Sequence, residues 1–300
     1  MEVPELLSTQ EEADTRLLLH ALHAARSGSK AVVTAAEDTD IMVLCLGHHK
    51  DIPCHIYQKR GTQNRTRFVD ITKLGRALGD GICNSLMLHA FTGYDTVSAF
   101  AGRGKLGALK LLRKNPSFQE TFCELGQSWD VAEELFDGVQ KFTCQMYTAS
   151  SSTAEVNELR YQLFYAKRGE VESSQLPPCR ECLYMHVLRA NYQAAIWRCS
   201  LQSQPAVPDP TESGWISDED GQLAIHWMRT QPAPEVVLDL LACKCTRSCL
   251  LPDCSCLANG LQCTDLCKLQ TCSNQKQDDD PQFRLEDSDG DREPMSDGEI

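Results

Sequence analysis

The chain contains 300 residues, of which 42% are apolar, and it carries a formal charge of −13 at neutral pH. This apolar content is enough to bury a core and excludes a wholly disordered protein. The apolar runs are too short to cross a membrane as a helix, and residues 1–5 lack the pattern of a secretory signal peptide, so we expect no membrane partner.

The first predicted element is a helix over residues 11–26. Ser8 followed by Glu11 matches a capping box, and the apolar residues that follow recur at helical spacing. The first turn is acidic, with Glu11, Glu12 and Asp14. Acids at the start of a helix interact favourably with its dipole, so these three are compatible with a purely structural role.

A second acidic motif lies between two apolar runs. Residues 31–36 predict a short strand, Asp38 and Asp40 follow it, and residues 41–46 are again apolar. Carboxylates between two buried segments are costly unless they are paired or bind a metal. At the carboxyl end of a parallel strand they would face the crevice where α/β folds bind ligands, whereas a solvated turn is the simpler alternative.

A third motif, Gly93-Tyr94-Asp95, ends an apolar helix predicted over residues 82–91. A glycine-rich turn at residues 102–104 then leads into a helix with basic side chains. Backbone N–H groups at such a turn can hold a phosphate, although a plain turn between two helices has the same composition.

In their order and spacing, the three motifs resemble the internal nuclease region of flap-endonuclease and related PIN-like proteins. The resemblance covers residues 8–125 and implies an α/β sheet flanked by helices, with a helix–two-turn–helix at residues 102–112 that grips a duplex. It also implies a catalytic Mg²⁺ site whose ligands are Glu12, Asp14, Asp38, Asp40 and Asp95. Residues two apart do not share a helix face but residues three apart do, so Glu11 stays open as an alternative to Glu12.

The same resemblance marks a missing part. Family members carry further metal-binding aspartates on an earlier strand and a basic residue on an arch-like region, whereas only seven residues precede Ser8. We therefore expect an incomplete PIN-like sheet with an unpaired edge, an acidic cluster without a basic partner, and little or no nuclease activity. A fragment of a longer protein is the alternative to a degenerate nuclease fold.

Two groups of basic residues flank the acidic motifs. Runs of charge are usually solvated faces, but this position favours contact with a nucleic-acid backbone. The predicted DNA-binding residues are Lys59, Arg60, Arg65, Arg67, Arg103, Lys105 and Lys110.

The segments that follow change in character. Residues 1–125 form the nuclease-like region, residues 126–200 predict a mainly helical extension, and residues 201–241 predict a linker followed by a hairpin and a short helix. Within the helical extension, the pattern Cys179-x-x-Cys182 with His186 has the spacing of a partial zinc site. The alternative is a helix start with two partly buried thiols.

Eight of the sixteen cysteines lie within residues 242–275, which contain few residues able to form a core. In a reducing compartment such a cluster indicates metal ligands rather than disulfides, and thiolates at these separations select Zn²⁺. The predicted ligands are Cys243, Cys245, Cys249, Cys254, Cys256, Cys263, Cys267 and Cys272.

The cysteine spacing resembles a tesmin-type CXC domain, a family that folds around three zinc ions held by nine cysteines and binds DNA. One family thiolate is replaced here, where Cys267 is followed by Lys268-Leu269, so we expect two to three zinc ions. Asp253 stands where DNA-inserting members carry a tyrosine, and its charge would repel phosphates.

These features together predict a nuclear, zinc-containing protein that binds DNA or chromatin proteins. It would derive from a metal-dependent, structure-specific nuclease and be inactive as this chain. The alternative is an active Mg²⁺-dependent endonuclease completed by an upstream segment. The combination resembles transposon-associated or domesticated animal proteins. Residues 276–300, with ten acids and three bases, predict a disordered acidic tail.

Overall fold

The structure is a computed structural model that describes residues 3–61, 65–167, 171–230, 242–264, 267–269 and 272–274. Its contacts divide the chain into two units, residues 1–230 and residues 231–300. The first unit mixes helices with small sheets, and the second is a small cysteine-rich region. Within the described part of the chain, no helix has the length and apolar character needed to span a membrane.

A three-stranded sheet organises the first unit. Its strands are β1 (Ala31–Ala35), β2 (His55–Arg60) and β3 (Arg67–Asp70), and they lie side by side in that order. β1 pairs with β2 in parallel and β2 pairs with β3 in antiparallel orientation. The mixed α/β class predicted from the sequence is therefore confirmed. Among the described residues, β1 has no strand partner on its outer edge.

Helices and a short hairpin complete the first unit. The helices are α1 (Ala13–Arg26), α2 (Thr39–Gly47), α3 (Ile71–Leu78), α4 (Asp80–Asn84), α5 (Leu88–Phe91), α6 (Lys105–Lys114), α7 (Pro116–Glu124), α8 (Glu133–Tyr147), α9 (Val156–Ala166) and α10 (Arg180–Arg198). The antiparallel hairpin consists of β4 (Trp215–Ser217) and β5 (Leu223–Ile225). The predicted apolar helix over residues 82–91 is interrupted by a 3₁₀ turn, Ser85–Met87. The predicted short helix after the hairpin and the acidic tail lie outside the described residues.

One aromatic core joins the sheet-bearing segment to the helices that follow it. Phe91 of α5 and Phe122 of α7 both pack against Phe142 of α8, with ring centroids 6.2 and 4.8 Å from that of Phe142. All three rings are fully buried. Because Phe142 comes from residues 126–200, that stretch belongs to the same core as the nuclease-like segment instead of extending from it.

A buried histidine in this core makes stability depend on pH. His186 of α10 is 7% exposed, and its Nε2 lies 2.8 Å from the carbonyl oxygen of Phe91. Burial lowers the pKa of His186 to about 4. The unfolded chain, with a histidine pKa of about 6.5, therefore takes up a proton that the folded chain excludes. The contribution of neutral His186 to the free energy of unfolding is complete above about pH 6.5 and is lost as the pH falls toward 4. This contribution is at most about 3 kcal/mol.

We expect His186→Gln to flatten the pH dependence of the free energy of unfolding between about pH 6.5 and 4, since glutamine does not titrate there. Urea unfolding of the full chain across this range measures the slope. The matched control is His20→Gln, because His20 is exposed on α1 and its replacement should leave the slope unchanged. Equal slopes for wild type and His186→Gln would contradict the assignment.

Candidate metal centres

Three acidic side chains converge beyond the carboxyl end of β1. Asp14 lies in the first turn of α1, Asp38 is the N-cap of α2, and Asp40 lies in the first turn of α2. One carboxylate oxygen from each lies within 4.8 Å of the other two. The segment after β1 is fixed by Gln58, whose Nε2 donates to the carbonyl oxygens of Ala36 and Asp38 at 3.1 and 3.0 Å.

Glu12 faces this cluster and Glu11 does not. The Glu12 carboxylate accepts hydrogen bonds from Gln193 Nε2 at 2.6 Å and from Trp197 Nε1 at 3.1 Å. Burial raises the pKa of the Glu12 carboxyl, and the charge of Asp14 adds to the rise. Glu11 is exposed. Of the two residues left open by the sequence, Glu12 is therefore the one near Asp14, although its carboxylate lies outside the three-oxygen group of Asp14, Asp38 and Asp40.

The reason lies in the position of Glu12 on the helix. α1 begins at Ala13, and Glu12 is its N-cap residue with an extended backbone, so the spacing rules within a helix do not apply to it. The predicted capping box is wrong. Ser8 Oγ accepts from Gln10 N at 3.0 Å in the preceding turn, and Glu12 directs its carboxylate to α10.

Asp95 lies at the edge of the cluster. A tight turn presents it, closed by hydrogen bonds of 2.8 and 2.9 Å between the backbones of Tyr94 and Val97. Its side chain is outside the three-oxygen group of the cluster. Burial of Asp14 is the largest cause of its raised pKa, and the charges of Asp38, Asp40 and Asp95 add to the rise. Asp95 is therefore close enough to Asp14 to affect its ionisation.

Two basic side chains also reach the cluster. His89 Nε2 lies 2.5 Å from Asp40 Oδ1, and Lys105 Nζ lies 3.0 Å from the same histidine nitrogen. Partial burial lowers the pKa of Lys105, and the neighbouring carboxylates oppose that shift. The expectation that the acids lack a basic partner is therefore wrong.

The sequence offered little signal for these two contacts. His89 sits in an apolar helical segment without any ligand spacing. Lys105 is the first residue of α6, and its sequence position predicts only that it belongs to a basic helix face. The packing of α5 beside α6 brings Lys105 to His89, and His89 contacts Asp40, which comes from α2.

The other predicted DNA-binding residues occupy different surroundings. Lys59 and Arg60 are on β2, Arg67 is on β3, Arg65 is exposed just before β3, and Lys110 is exposed on α6. Arg60 Nη2 donates to the carbonyl oxygen of Glu37. Arg103 lies over the ring of Tyr147, with its guanidinium carbon 4.6 Å from the ring centroid.

The eight cysteines of the second unit form a compact cluster around the short helix α11 (Ser255–Ala258). Among the described residues none of the eight forms a disulfide, and six of them are buried. The closest Sγ–Sγ distances are 3.6 Å for Cys256–Cys267, 3.7 Å for Cys243–Cys249 and Cys249–Cys263, and 3.9 Å for Cys243–Cys263 and Cys254–Cys263. A disulfide would require about 2 Å.

These separations fit a zinc–thiolate cluster. A tetrahedral site with Zn–S bonds of about 2.3 Å has S–S edges of about 3.8 Å. Seven of the eight thiols fall into three groups among the described residues, and Cys267 is in none of them: Cys243, Cys254, Cys256 and Cys263; Cys243, Cys245, Cys249 and Cys254; and Cys249, Cys263 and Cys272. Two groups have four thiols each and share Cys243 and Cys254, and the third has three thiols. A metal-binding cysteine cluster is thus what the arrangement can form.

Hydrogen bonds from backbone N–H groups lower the pKa of two of these thiols, Cys254 and Cys267. Hydrogen bonding from Leu257 N–H at the start of α11 lowers the pKa of Cys254 to about 7. Burial opposes ionisation of Cys267, but backbone N–H groups of Cys243 and Thr264 outweigh it and lower its pKa to about 7. Thiolates are the metal-binding form of cysteine, so both residues favour zinc at neutral pH.

No family model, curated protein or solved structure matches the chain.

The third predicted metal site does not form. Cys179 is the N-cap of α10, where its Sγ accepts from Cys182 N at 3.5 Å. His186 directs its Nε2 to the Phe91 carbonyl oxygen. Among the described residues these three are not part of any group able to share a metal ion. The alternative, a helix start with two partly buried thiols, describes this segment.

Proposed function

We propose that this protein is a zinc-containing DNA- or chromatin-binding protein, and that its acidic cluster holds a divalent cation through which a phosphate backbone is bound. The observation that carries the proposal is the meeting of Asp14, Asp38 and Asp40 from two separate helices at one end of β1. The order of the acidic motifs, which resembles that of PIN-like nucleases, supports the same conclusion.

The charge balance favours a cation at the cluster. The acids repel one another where they meet, and this repulsion adds to burial in raising the pKa of Asp14. Oxygen ligands of one Mg²⁺ ion, at about 2.1 Å from it, lie at most about 4.2 Å apart, and small side-chain movements would bring the 4.8 Å group into that range. When bound, Mg²⁺ supplies a Lewis acid for a phosphate oxygen.

The cation would also decide whether DNA can approach. The chain has a formal charge of −13, and an exposed acid such as Asp38 repels phosphates unless it is neutralised. Exposed basic residues near the sheet, Lys59, Arg65 and Arg67, supply sequence-independent contacts to the backbone. The resemblance of the second unit to CXC domains supports a role for this unit, folded around zinc, in binding DNA.

A second candidate function is Mg²⁺-dependent phosphodiester hydrolysis, and one observation favours it. Lys105 Nζ contacts His89, which in turn contacts Asp40, and from this position its ammonium group can neutralise charge that develops on a phosphate in the transition state. The sequence predicted Lys105 as a DNA-binding residue but not as a neighbour of the acidic cluster. A single lysine among five acids supports weak cleavage at best, so binding remains the main proposal.

The deciding experiment measures DNA binding and cleavage by the full, zinc-loaded chain with and without Mg²⁺ at constant ionic strength. We expect Mg²⁺ to tighten binding of a labelled duplex or flapped DNA by about tenfold, because it neutralises the acids. Asp38→Asn with Asp40→Asn should abolish this gain, and asparagine still caps α2.

The control variant replaces two exposed acids elsewhere, Asp130→Asn with Asp137→Asn, and should keep the Mg²⁺ effect. Binding that is indifferent to Mg²⁺ in wild type would refute the main proposal. Cleavage that needs Mg²⁺ and is lost in both the Asp38/Asp40 variant and Lys105→Gln would instead establish the second candidate.

A further inference from the structure

A separate cavity of about 250 Å³ lies in the first unit, between α8, α9 and α10 and the segment that follows the hairpin. Its described walls include Tyr147, Arg160, Cys182, Arg189 and Trp227, and they contain no aspartate or glutamate. We call it the arginine pocket. It is smaller than the 300–1,000 Å³ typical of pockets for drug-sized molecules, so its size suits a small group.

Arg189 is the unusual residue of the arginine pocket. It is 1% exposed, and its Nη1 donates to the carbonyl oxygens of Gly214 and His226 at 3.0 and 3.1 Å. Its Nε is buried without a hydrogen-bond partner in the described structure. No described carboxylate lies within ion-pair distance of it. A buried guanidinium that lacks an anion is costly, so this arrangement calls for a counter-charge.

The neighbouring groups do not provide that charge. Burial raises the pKa of Cys182 to about 11, so this thiol is neutral at physiological pH. The Trp227 ring lies 5.7 Å from the Arg189 guanidinium carbon and offers only a weak cation–π contact. If Arg189 only linked α10 to the residues that flank the hairpin, the two hydrogen bonds from its Nη1 would be sufficient. That role does not account for its buried Nε–H, which has no hydrogen-bond partner in the described structure.

Further positive charge lies around the same cavity. Arg160 of α9 lines it and donates from Nη1 to the Pro177 carbonyl oxygen at 2.6 Å, which fixes its guanidinium at the wall. Arg103 stacks on Tyr147, another wall residue, and its own Nε is also buried without a partner among the described residues. Guanidinium groups bind phosphate by paired N–H donors, a geometry that a lysine cannot supply.

We propose that the arginine pocket binds a phosphate group through Arg189 and Arg160, either free phosphate or the terminal phosphate of a nucleic-acid strand. The site is distinct from the acidic cluster, although Ser98 and Ala99 line both the arginine pocket and the groove beside Asp95. It requires no metal, so it stands or falls independently of the proposed cation site.

The test is a calorimetric titration of the full, zinc-loaded chain with inorganic phosphate. The buffer contains a metal chelator too weak to remove zinc. We expect saturable binding at one site. Arg160→Gln and Arg189→Lys should each weaken it by at least about tenfold, since each removes charge-assisted donors. The matched control is Arg113→Gln on the exposed end of α6, which should bind like wild type.

Competition by short oligonucleotides distinguishes the two sources. If the ligand is a strand end, an oligonucleotide with a terminal phosphate displaces inorganic phosphate and its hydroxyl-ended counterpart does not. If neither displaces it, the ligand is free phosphate. Should Arg189→Lys fail to fold, Arg160→Gln decides the question alone. Absence of saturable binding up to millimolar phosphate, or binding that both arginine variants retain in full, would overturn the proposal.

Discussion

Removal of zinc by a strong chelator should unfold residues 242–274 and leave the first unit folded. The core of the second unit consists mainly of cysteine side chains, so we expect metal–thiolate bonds, worth about 10–16 kcal/mol for each structural site, to supply its stability. All four tryptophans lie before residue 231 and report on the first unit alone. We therefore expect unchanged tryptophan fluorescence together with rapid proteolysis of the second unit after chelation.

Single substitutions should reveal which thiols are shared. Cys243 belongs to both complete four-thiol groups and Cys245 to one of them. Metal analysis of the wild type should give two to three zinc ions per chain, reduced by about two in Cys243→Ser and by about one in Cys245→Ser, as shared and unshared ligands require. Cys199→Ser in the first unit serves as the control with unchanged zinc. Wild-type protein with one zinc ion or none would rule out the cluster.

Phe142→Ala should destabilise the whole first unit by about 3–5 kcal/mol, the usual cost of removing a fully buried phenylalanine ring. The ring packs against Phe91, Phe118 and Phe122, so the loss extends to both halves of that unit. Urea unfolding followed by tryptophan fluorescence should show one transition at a lower midpoint.

Phe164→Ala on α9 is the matched control, because half of that side chain is exposed and its loss should cost much less. A second, separate transition in Phe142→Ala, with the rest of the unit unaffected, would mean that residues 126–200 fold as a domain of their own.

What the sequence predicted well is local in the chain. The hairpin, the strand β1 and the cysteine cluster each depend on residues a few positions apart, and the eight cysteines span only thirty residues. The acidic motifs were grouped because their order and spacing resemble those of PIN-like nucleases. The α/β class followed from the alternation of helix and strand patterns in residues 1–125 and from the same resemblance.

The features that escaped prediction depend on distant contacts. Glu12 is selected over Glu11 by Gln193 and Trp197, which lie about 180 positions later. His89 reaches Asp40, and Lys105 reaches His89, only after α5 and α6 have packed. No periodicity or spacing in the chain encodes such meetings, since they are set by how helices fill the core.

The hydrogen bonds between Glu12 and α10 limit which segments of this protein can be produced separately. A recombinant segment that ends near residue 125, the limit of the nuclease resemblance, would lack α8 and α10. It would expose Phe91 and Phe122 to water and leave the Glu12 carboxylate without Gln193 and Trp197. Gene designs, splice variants and evolutionary rearrangements that preserve the acidic cluster must therefore carry the chain through α10.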